Sequence, residues 1–159
     1  MLKVRGIHHI TLICRDMGRT VKFYTEVLGL QLVKRTVNYD DPSTKHFFFG
    51  DDEGRPSTLL TFFEHPEGAQ GRRGVGVAHH LALTVEDEAE QLAWKARLES
   101  LGIPVTGPLD RLYFKSIYFQ DPDRVIIELA TRGPGLLLDE SPEDLGKRMI
   151  LPGEDPSSP

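Results

Sequence analysis

The sequence predicts an α+β fold built from two βαβββ modules. Two observations lead to this prediction. The order strand, helix and three strands occurs in the first half of the chain and again in the second, and each half opens with an adjacent histidine pair, His8-His9 or His79-His80. A repeat of about 70 residues is too long for a solenoid unit and indicates a duplicated half-domain.

The first module occupies about residues 5–65. Its helix follows an N-cap at Asp16, carries apolar residues at helical spacing and ends at Gly29. Aspartate- and glycine-rich turns separate its later strands. The strands are predicted over about residues 5–14, 31–39, 45–49 and 57–64.

A glycine- and arginine-rich connector over 66–76 leads to the second module, at about residues 77–132. Its helix begins in Glu86-Asp87-Glu88, whose negative charges suit the positive end of a helix dipole, and stops at Gly102. An Asp-Pro-Asp turn separates its last two strands. The strands are predicted over about residues 79–85, from 105 onward, 112–120 and 125–131.

The remaining residues predict a C-terminal extension over 133–152 and a flexible tail over 153–159. Ser141 is a suitable N-cap and Pro142 suits the first position of a helix, so a short helix is expected in the extension. The tail is polar and rich in proline. Residues 1–152 are therefore expected to form a single domain.

Composition excludes several classes of function. The chain has 159 residues, 39% hydrophobic and 27% charged, as in a soluble globular protein. A net charge of -5 without a basic stripe argues against nucleic-acid binding. No apolar run reaches the roughly 20 residues of a membrane-spanning helix, and no signal-peptide block follows Met1. Cys14 is the sole cysteine, which excludes an internal disulfide, and a cytoplasmic location is expected.

The two histidine pairs predict a metal site. Successive residues of a strand point to opposite faces, so each pair can aim one imidazole at a shared interior. Strand parity alone does not decide which member of each pair does so. An interior imidazole needs a partner for each nitrogen, and a metal supplies one of them. The competing interpretation is a set of partly buried structural histidines.

Glu128 is the candidate third ligand. It is a lone carboxylate in an otherwise apolar strand, and such a residue is rarely buried without a partner. A salt bridge to Arg124 or Arg132 is its structural interpretation. With two histidines, it completes a two-histidine, one-carboxylate set that leaves neighbouring coordination positions open.

Longer motifs support this interpretation. In the first module they are Gly6–Thr11, Phe23–Leu30, Asp40–Pro42 and Leu60–Phe63. In the second they are His79-His80, Glu90–Trp94, Asp110–Phe119 and Ile127-Glu128, followed by the segment from Asp139-Glu140 to Leu151-Pro152. Together they resemble the first and last modules of hydroquinone-cleaving dioxygenases in the vicinal oxygen chelate superfamily, which also includes glyoxalase I and fosfomycin-resistance proteins. Those dioxygenases have four modules, whereas this chain has two.

The resemblance implies a half-barrel metal-binding cup and assigns roles by position. The implied metal ligands are His9, His80 and Glu128, and the ion is expected to be Fe(II), with Mn(II) or Zn(II) as alternatives. The implied catalytic residues are Tyr118 and Arg111 beside the metal, Thr11 nearby, and His8 and His79 in supporting positions. Each of these residues also has a structural interpretation. Arg111 is then a surface residue and Tyr118 a half-buried residue at a strand edge. His8 and His79 then serve in capping or in back-face packing. His46 and His65 are expected on the surface.

The resemblance therefore implies a ring-cleaving dioxygenase that takes a small hydroquinone-like or catechol-like aromatic and dioxygen, in a homodimer. One alternative is a metal-dependent lyase or transferase like glyoxalase I or the fosfomycin-resistance proteins. Glyoxalase I sites usually carry a further metal-binding carboxylate or glutamine in the first module, whereas the strand here has no acid until Glu64. The other alternative is a metal-free protein that binds an aromatic ligand, as bleomycin-resistance proteins do.

Overall fold

The computed structural model describes residues 1–151, so the flexible tail predicted for 153–159 lies outside the described residues. The chain divides into two compact units. The first contains Met1–Ala78 and Asp121–Val125, and the second contains His79–Gln120 and the residues from Ile126 onward. Each unit has one four-stranded sheet and one helical segment, which confirms the predicted α+β fold with a repeated βαβββ order.

The first unit follows the predicted order with shorter elements. They are β1 His9–Cys14, α1 Met17–Lys22 continuing into a π-helix Phe23–Val27, β2 Gln31–Val37, β3 Lys45–Gly50 and β4 Leu59–Glu64. The strand order in the sheet is β1-β4-β3-β2, with β1 parallel to β4 and the other neighbours antiparallel.

Local contacts explain where this helical segment begins and ends. Asp16 is the predicted N-cap, and its carboxylate accepts a hydrogen bond of 2.9 Å from the Arg19 amide. The segment ends before Gly29, whose φ of +76° suits glycine. The π-helix was not predicted. Its extra residue per turn accompanies the burial of two consecutive aromatic side chains, Phe23 and Tyr24.

One face of the first sheet packs on these aromatic residues. The Tyr24 ring lies 4.8 Å from the Phe62 ring and 5.6 Å from the Phe49 ring, and all three side chains are fully buried. The opposite face is called the histidine face below. Strand register places on it His9, Thr11 and Ile13 of β1, Leu59, Thr61 and Phe63 of β4, His46 and Phe48 of β3, and Lys34 and Thr36 of β2.

Residues 121–125, the predicted turn before the last strand, belong to the first unit. The buried Tyr24 hydroxyl donates a 3.1 Å hydrogen bond to Asp121. The other Asp121 oxygen accepts from the Asp123 and Val125 amides at 2.8 Å each, and the Arg15 amide donates to Asp123. Burial raises the pKa of Tyr24 well above its ordinary value, helped by the neighbouring Asp121 carboxylate, and burial also raises the pKa of Asp121.

The second unit repeats this arrangement. Its elements are β5 Leu81–Val85, α2 Glu88–Ser100, β6 Thr106–Asp110, β7 Lys115–Gln120 and β8 Ile126–Thr131. The strand order is β5-β8-β7-β6, and β5 runs parallel to β8. Asp87 caps α2 by accepting from the Glu90 amide at 2.9 Å, and the predicted stop at Gly102 is confirmed by its φ of +73°.

Helix α2 is tied to its sheet by a buried amide. The Gln91 side chain donates at 2.8 Å to the carbonyls of Lys115 and Leu129, which lie on neighbouring strands. Leu98 of the same helix is fully buried. Among residues 1–151, no helix combines the length and the apolar character needed to cross a lipid bilayer.

The short helix predicted within 133–152 is wrong as far as residue 151. Residues 142–146 form successive turns instead, with hydrogen bonds from the Asp144 amide to Ser141 at 2.9 Å and from the Lys147 amide to Asp144 at 3.0 Å. Gly146 interrupts the run with a φ of +74°. A helix N-cap accepts from a backbone amide, whereas the Ser141 hydroxyl donates to the Asp144 carboxylate. So short a segment without this cap does not offset the cost of starting a helix.

Candidate metal site

The carboxylate of Glu128 is held between two partners within the second unit. Glu128 is 2% exposed. It lies on β8, where its register partners are Ala82 of β5 and Tyr118 of β7. The hydroxyl of buried Ser116 donates to one carboxylate oxygen. The other oxygen lies 2.8 Å from Nε2 of His80. The predicted salt bridge of Glu128 to an arginine is therefore replaced by a serine and a histidine.

These two donor atoms fit a divalent metal. Metal bonds to imidazole nitrogen and carboxylate oxygen are about 2.0–2.2 Å long, so two ligands at a right angle stand about 3 Å apart. The observed 2.8 Å between His80 Nε2 and Glu128 Oε2 is close to that spacing. One carboxylate oxygen already accepts from Ser116, which fixes the orientation of the other.

His79 bonds to the ring of His80 at Nδ1, the nitrogen that does not face Glu128. Their Nδ1 atoms are 2.9 Å apart, and their rings meet edge to face at 5.2 Å. If Nε2 of His80 ligates a metal, its proton must sit on Nδ1, which then donates to Nδ1 of His79. His79 in turn carries its proton on Nε2. Both residues precede β5, so the divergence expected of neighbouring strand residues does not apply, and their rings are bonded.

Arg111 and Tyr118 lie on the same side as His80. The guanidinium donates to the Tyr118 hydroxyl at 3.4 Å and its carbon lies 5.6 Å from the centre of the tyrosine ring. The Tyr118 ring meets the His80 ring edge to face at 6.0 Å. Since arginine only donates, the tyrosine hydroxyl keeps its own proton available for a third group. Both residues thus flank the candidate ligands rather than standing apart from them.

The first unit contains a matching histidine pair. Nδ1 of His8 lies 3.0 Å from Nδ1 of His9, and the rings are again edge to face at 5.2 Å. The same proton assignment leaves Nε2 of His9 free to ligate. The ring of His9 lies 6.2 Å from the ring of Phe48 on the histidine face.

The expected surface position of His46 is wrong, whereas His65 is exposed as predicted. His46 is half-buried, with its ring 4.3 Å from the rings of both Phe48 and Phe63. Burial lowers the pKa of His46, and the neighbouring His9 lowers it further. Strand parity puts His46 on the same face as Phe48, but parity does not show that Thr61 and Phe63 of β4 lie beside it.

His46 begins a chain of hydrogen bonds that ends at Thr11. The fully buried Thr61 hydroxyl donates to the Thr11 hydroxyl at 2.8 Å, and His46 Nε2 lies 2.9 Å from the same Thr61 oxygen. Because Thr61 has a single proton, His46 must be the donor in the second bond. The Thr11 hydroxyl therefore accepts from Thr61 and keeps its own proton for another acceptor.

Thr61 occupies in the first sheet the register position that Glu128 occupies in the second. Thr61 pairs with Thr11, two residues after His9, and Glu128 pairs with Ala82, two residues after His80. The first unit thus offers a hydroxyl where the second offers a carboxylate. Glu64, the nearest acid in β4, is held by the Met17 amide and the Lys45 ammonium at 2.7 Å each.

The predicted residues therefore fall into two sets. The second unit brings together His79, His80, Arg111, Tyr118 and Glu128, and the first unit brings together His8, His9 and Thr11. Within residues 1–151, histidine, cysteine, aspartate and glutamate form no group of three or more able to hold a metal ion.

A cavity of about 710 Å³ opens on the first unit beside the histidine face. Residues of that face that line it include Lys34, Thr36, His46, Phe48 and Leu59. It is within the range of cavities that bind small organic molecules.

Comparison with known proteins places these features in context. A family model described as the glyoxalase/bleomycin resistance protein/dioxygenase superfamily matches residues 6–129. A Bacillus subtilis protein named as a ring-cleaving dioxygenase, MhqE, is 46% identical over 102 residues, which are 64% of this chain and 33% of that protein. The chlorohydroquinone/hydroquinone 1,2-dioxygenase of Sphingobium indicum is 32% identical over 124 residues, 76% of this chain and 38% of that enzyme.

Among solved structures, one from Bacillus subtilis described as a dioxygenase superposes with a TM-score of 0.76 at 39% identity. The match covers 84% of this chain and 43% of that one. The chain thus spans less than half the length of these three proteins.

Proposed function

Since the chain belongs to the glyoxalase/bleomycin resistance protein/dioxygenase superfamily, we propose that it is a metal-dependent ring-cleaving dioxygenase acting on a hydroquinone-like or catechol-like aromatic. The observation that carries the proposal is the pairing of His80 with Glu128 beside Tyr118 and Arg111. The similarity to named ring-cleaving and hydroquinone dioxygenases supports the same reaction class.

In the proposed enzyme, His9, His80 and Glu128 hold the metal, which is Fe(II) in the native protein. Two imidazoles and a carboxylate form the set associated with non-haem Fe(II) oxygenases. A bound ion of this kind supplies Lewis acidity toward a phenolic oxygen and the redox capacity that ring cleavage requires. Mn(II) and Zn(II) suit the same nitrogen and oxygen donors.

The residues around the ligands divide the remaining work. His8 and His79 accept from the ligand histidines, which fixes the ring orientations and the tautomers. Their own Nε2 protons then remain available to a substrate oxygen. Arg111 stabilises negative charge that develops on the ring oxygens, and Tyr118 exchanges the proton that its arginine bond leaves free.

Thr11 contributes a further donor on the side of His9. Its hydroxyl accepts from Thr61, which itself accepts from His46, so its proton points away from this chain of bonds. We assign it to orient a substrate oxygen. The buried position of Thr61 keeps this donor in one orientation.

Anaerobic reconstitution with Fe(II), followed by oxygen-uptake measurements on a panel of hydroquinones and catechols, tests the proposal. Oxygen consumption with ring-opened products is the expected result. Bound iron without oxygen consumption on any member of the panel contradicts it. Light scattering measures the proposed homodimer in the same preparation.

The glyoxalase-like alternative finds less support in the first unit. That reaction class usually adds a carboxylate or glutamine ligand from the first module, and here the corresponding position is Thr61. Conversion of a thiohemiacetal of methylglyoxal by the metal-loaded protein, without oxygen uptake, would favour the alternative. A metal-free binding protein would retain its aromatic ligand in the variant His80→Ala.

A further inference from the structure

The cavity beside the histidine face is large compared with a single ring. A cavity of about 150 Å³ is enough to bind a benzene molecule, whereas this cavity measures about 710 Å³. Phe48 lines it and also lies 6.2 Å from the ring of His9. A ring bound at His9 therefore has room on the other side of Phe48 for a substituent.

The chemistry of the histidine face favours an anionic substituent. Its ten residues include one lysine and two histidines but no aspartate or glutamate. Lys34 and Phe48 are register partners across β2 and β3, so their side chains share a face, and both line the cavity. Within the described part of the chain, Lys34 forms no ion pair, so its ammonium is free to meet a ligand.

The acidic residue in the cavity lining, Glu53, lies outside the histidine face and has its own partner. Glu53 belongs to the loop after β3, and its carboxylate lies 3.7 Å from the Arg55 guanidinium. Leu59 and Phe48 add apolar wall beside Lys34. The cavity thus has an apolar wall for a short chain of carbons and the Lys34 ammonium for its end. The other cation of the lining, Arg35, lies over the Phe47 ring at 5.7 Å.

From these contacts we infer that the enzyme prefers a dihydroxybenzene bearing a short side chain that ends in a carboxylate, which the Lys34 ammonium binds in the cavity past Phe48. The inference rests on the proposed function for the identity of the ring, and it adds a residue that selects among substrates. Lys34 binds the substituent and takes no part in ring cleavage.

Two ligands that differ only in charge test the inference. The probes are 2,5-dihydroxyphenylacetate and its methyl ester, and their dissociation constants are measured by equilibrium dialysis under nitrogen with the full chain carrying its metal. The acid is expected to bind about fivefold more tightly than the ester, the size of a partly exposed ion pair. Higher salt is expected to reduce the difference.

Three variants locate the effect. Lys34→Met keeps most of the aliphatic stem and is expected to abolish the preference for the acid, and Lys34→Glu is expected to reverse it. Lys22→Met is the matched control, because Lys22 is an exposed lysine of the same unit outside the cavity lining, and it is expected to keep the preference.

Equal binding of the acid and the ester by the unmodified protein overturns the inference, as does a preference that survives in Lys34→Met. Dialysis needs no turnover, so this outcome is independent of the oxygen-uptake test. Oxygen uptake on unsubstituted hydroquinone together with equal binding of the two probes would overturn the substituent class alone. Preferential binding of the acid without oxygen uptake on any phenol would overturn the proposed reaction alone.

Discussion

His80 Nε2 and Glu128 Oε2 lie 2.8 Å apart on neighbouring segments of the second unit. The other oxygen of Glu128 is engaged by Ser116. One carboxylate oxygen therefore bonds to Ser116, and the other faces the candidate ligand His80. Substitutions of Glu128 and of the residues around His80 are therefore expected to have different effects.

Replacing Glu128 by alanine is expected to remove the bound metal. The variant loses a ligand and leaves His80 without its 2.8 Å partner. Iron per chain after anaerobic reconstitution is the measurement. Glu99→Ala is the control, since Glu99 is an exposed residue of α2 whose nearest charged partner, Lys95, is as far away as 4.0 Å. Full iron content in Glu128→Ala would show that this residue is not a ligand.

Replacing His79 by alanine is expected to weaken metal binding about 10- to 100-fold, the usual effect of removing a residue that orients a ligand. The bond between the Nδ1 atoms of His79 and His80 is lost, and the ligand ring can rotate. A competition titration with a chelator measures the change. His65→Ala, a substitution of an exposed histidine, is expected to leave the affinity unchanged.

Tyr118→Phe is expected to keep its iron and to lower kcat by about 10²- to 10⁴-fold, the usual contribution of a positioned acid or base. The substitution keeps the ring beside His80 and removes only the hydroxyl that Arg111 contacts. Steady-state oxygen uptake at saturating substrate measures kcat. An unchanged rate would refute the proton-transfer role assigned to this hydroxyl.

Tyr24→Phe is expected to lower the free energy of unfolding by about 1–3 kcal/mol. The hydroxyl is fully buried and donates to Asp121, so its removal leaves a buried acceptor with one partner fewer. Urea denaturation measures the change. Tyr39→Phe serves as the control because Tyr39 is 86% exposed, and it should denature with the unmodified protein.

Asp51 is expected to make stability acid-sensitive. The Arg55 backbone amide and then the Arg55 guanidinium lower the pKa of Asp51 to about 2 from an ordinary value of 3.8. The folded state therefore favours the ionised form, so the contribution is complete above about pH 4 and is lost as the pH falls through about 2. The stability difference between the unmodified protein and Asp51→Asn should shrink over that interval. A constant difference from pH 6 to pH 2 would contradict this assignment.

Sequence periodicity predicted the order of strands and helices, because apolar residues alternate in the strands of both modules and recur at helical spacing in their helices. The residue types at the ends of the helices predicted the cap at Asp16 and the stops at Gly29 and Gly102. The prediction of a helix failed at residues 141–151, where Ser141 and Pro142 were not followed by a run long enough to sustain one.

The candidate site was less accessible to sequence reasoning. Parity could not separate His8 from His9, since β1 begins only at His9 and the two rings bond to each other. The surface expectation for His46 was wrong because the pattern does not show that Thr61 lies within reach across the sheet. Pairing between strands distant in sequence was the missing information.

The turn at residues 121–125 has a consequence for how the chain is made. The first compact unit includes this turn, and the bond from Tyr24 to Asp121 joins residues 97 positions apart. On the ribosome, the N-terminal 78 residues emerge long before the residues that complete their unit. The repeated βαβββ module and the compact unit therefore have different boundaries. Cutting the chain at the connector would separate Tyr24 from its partner Asp121.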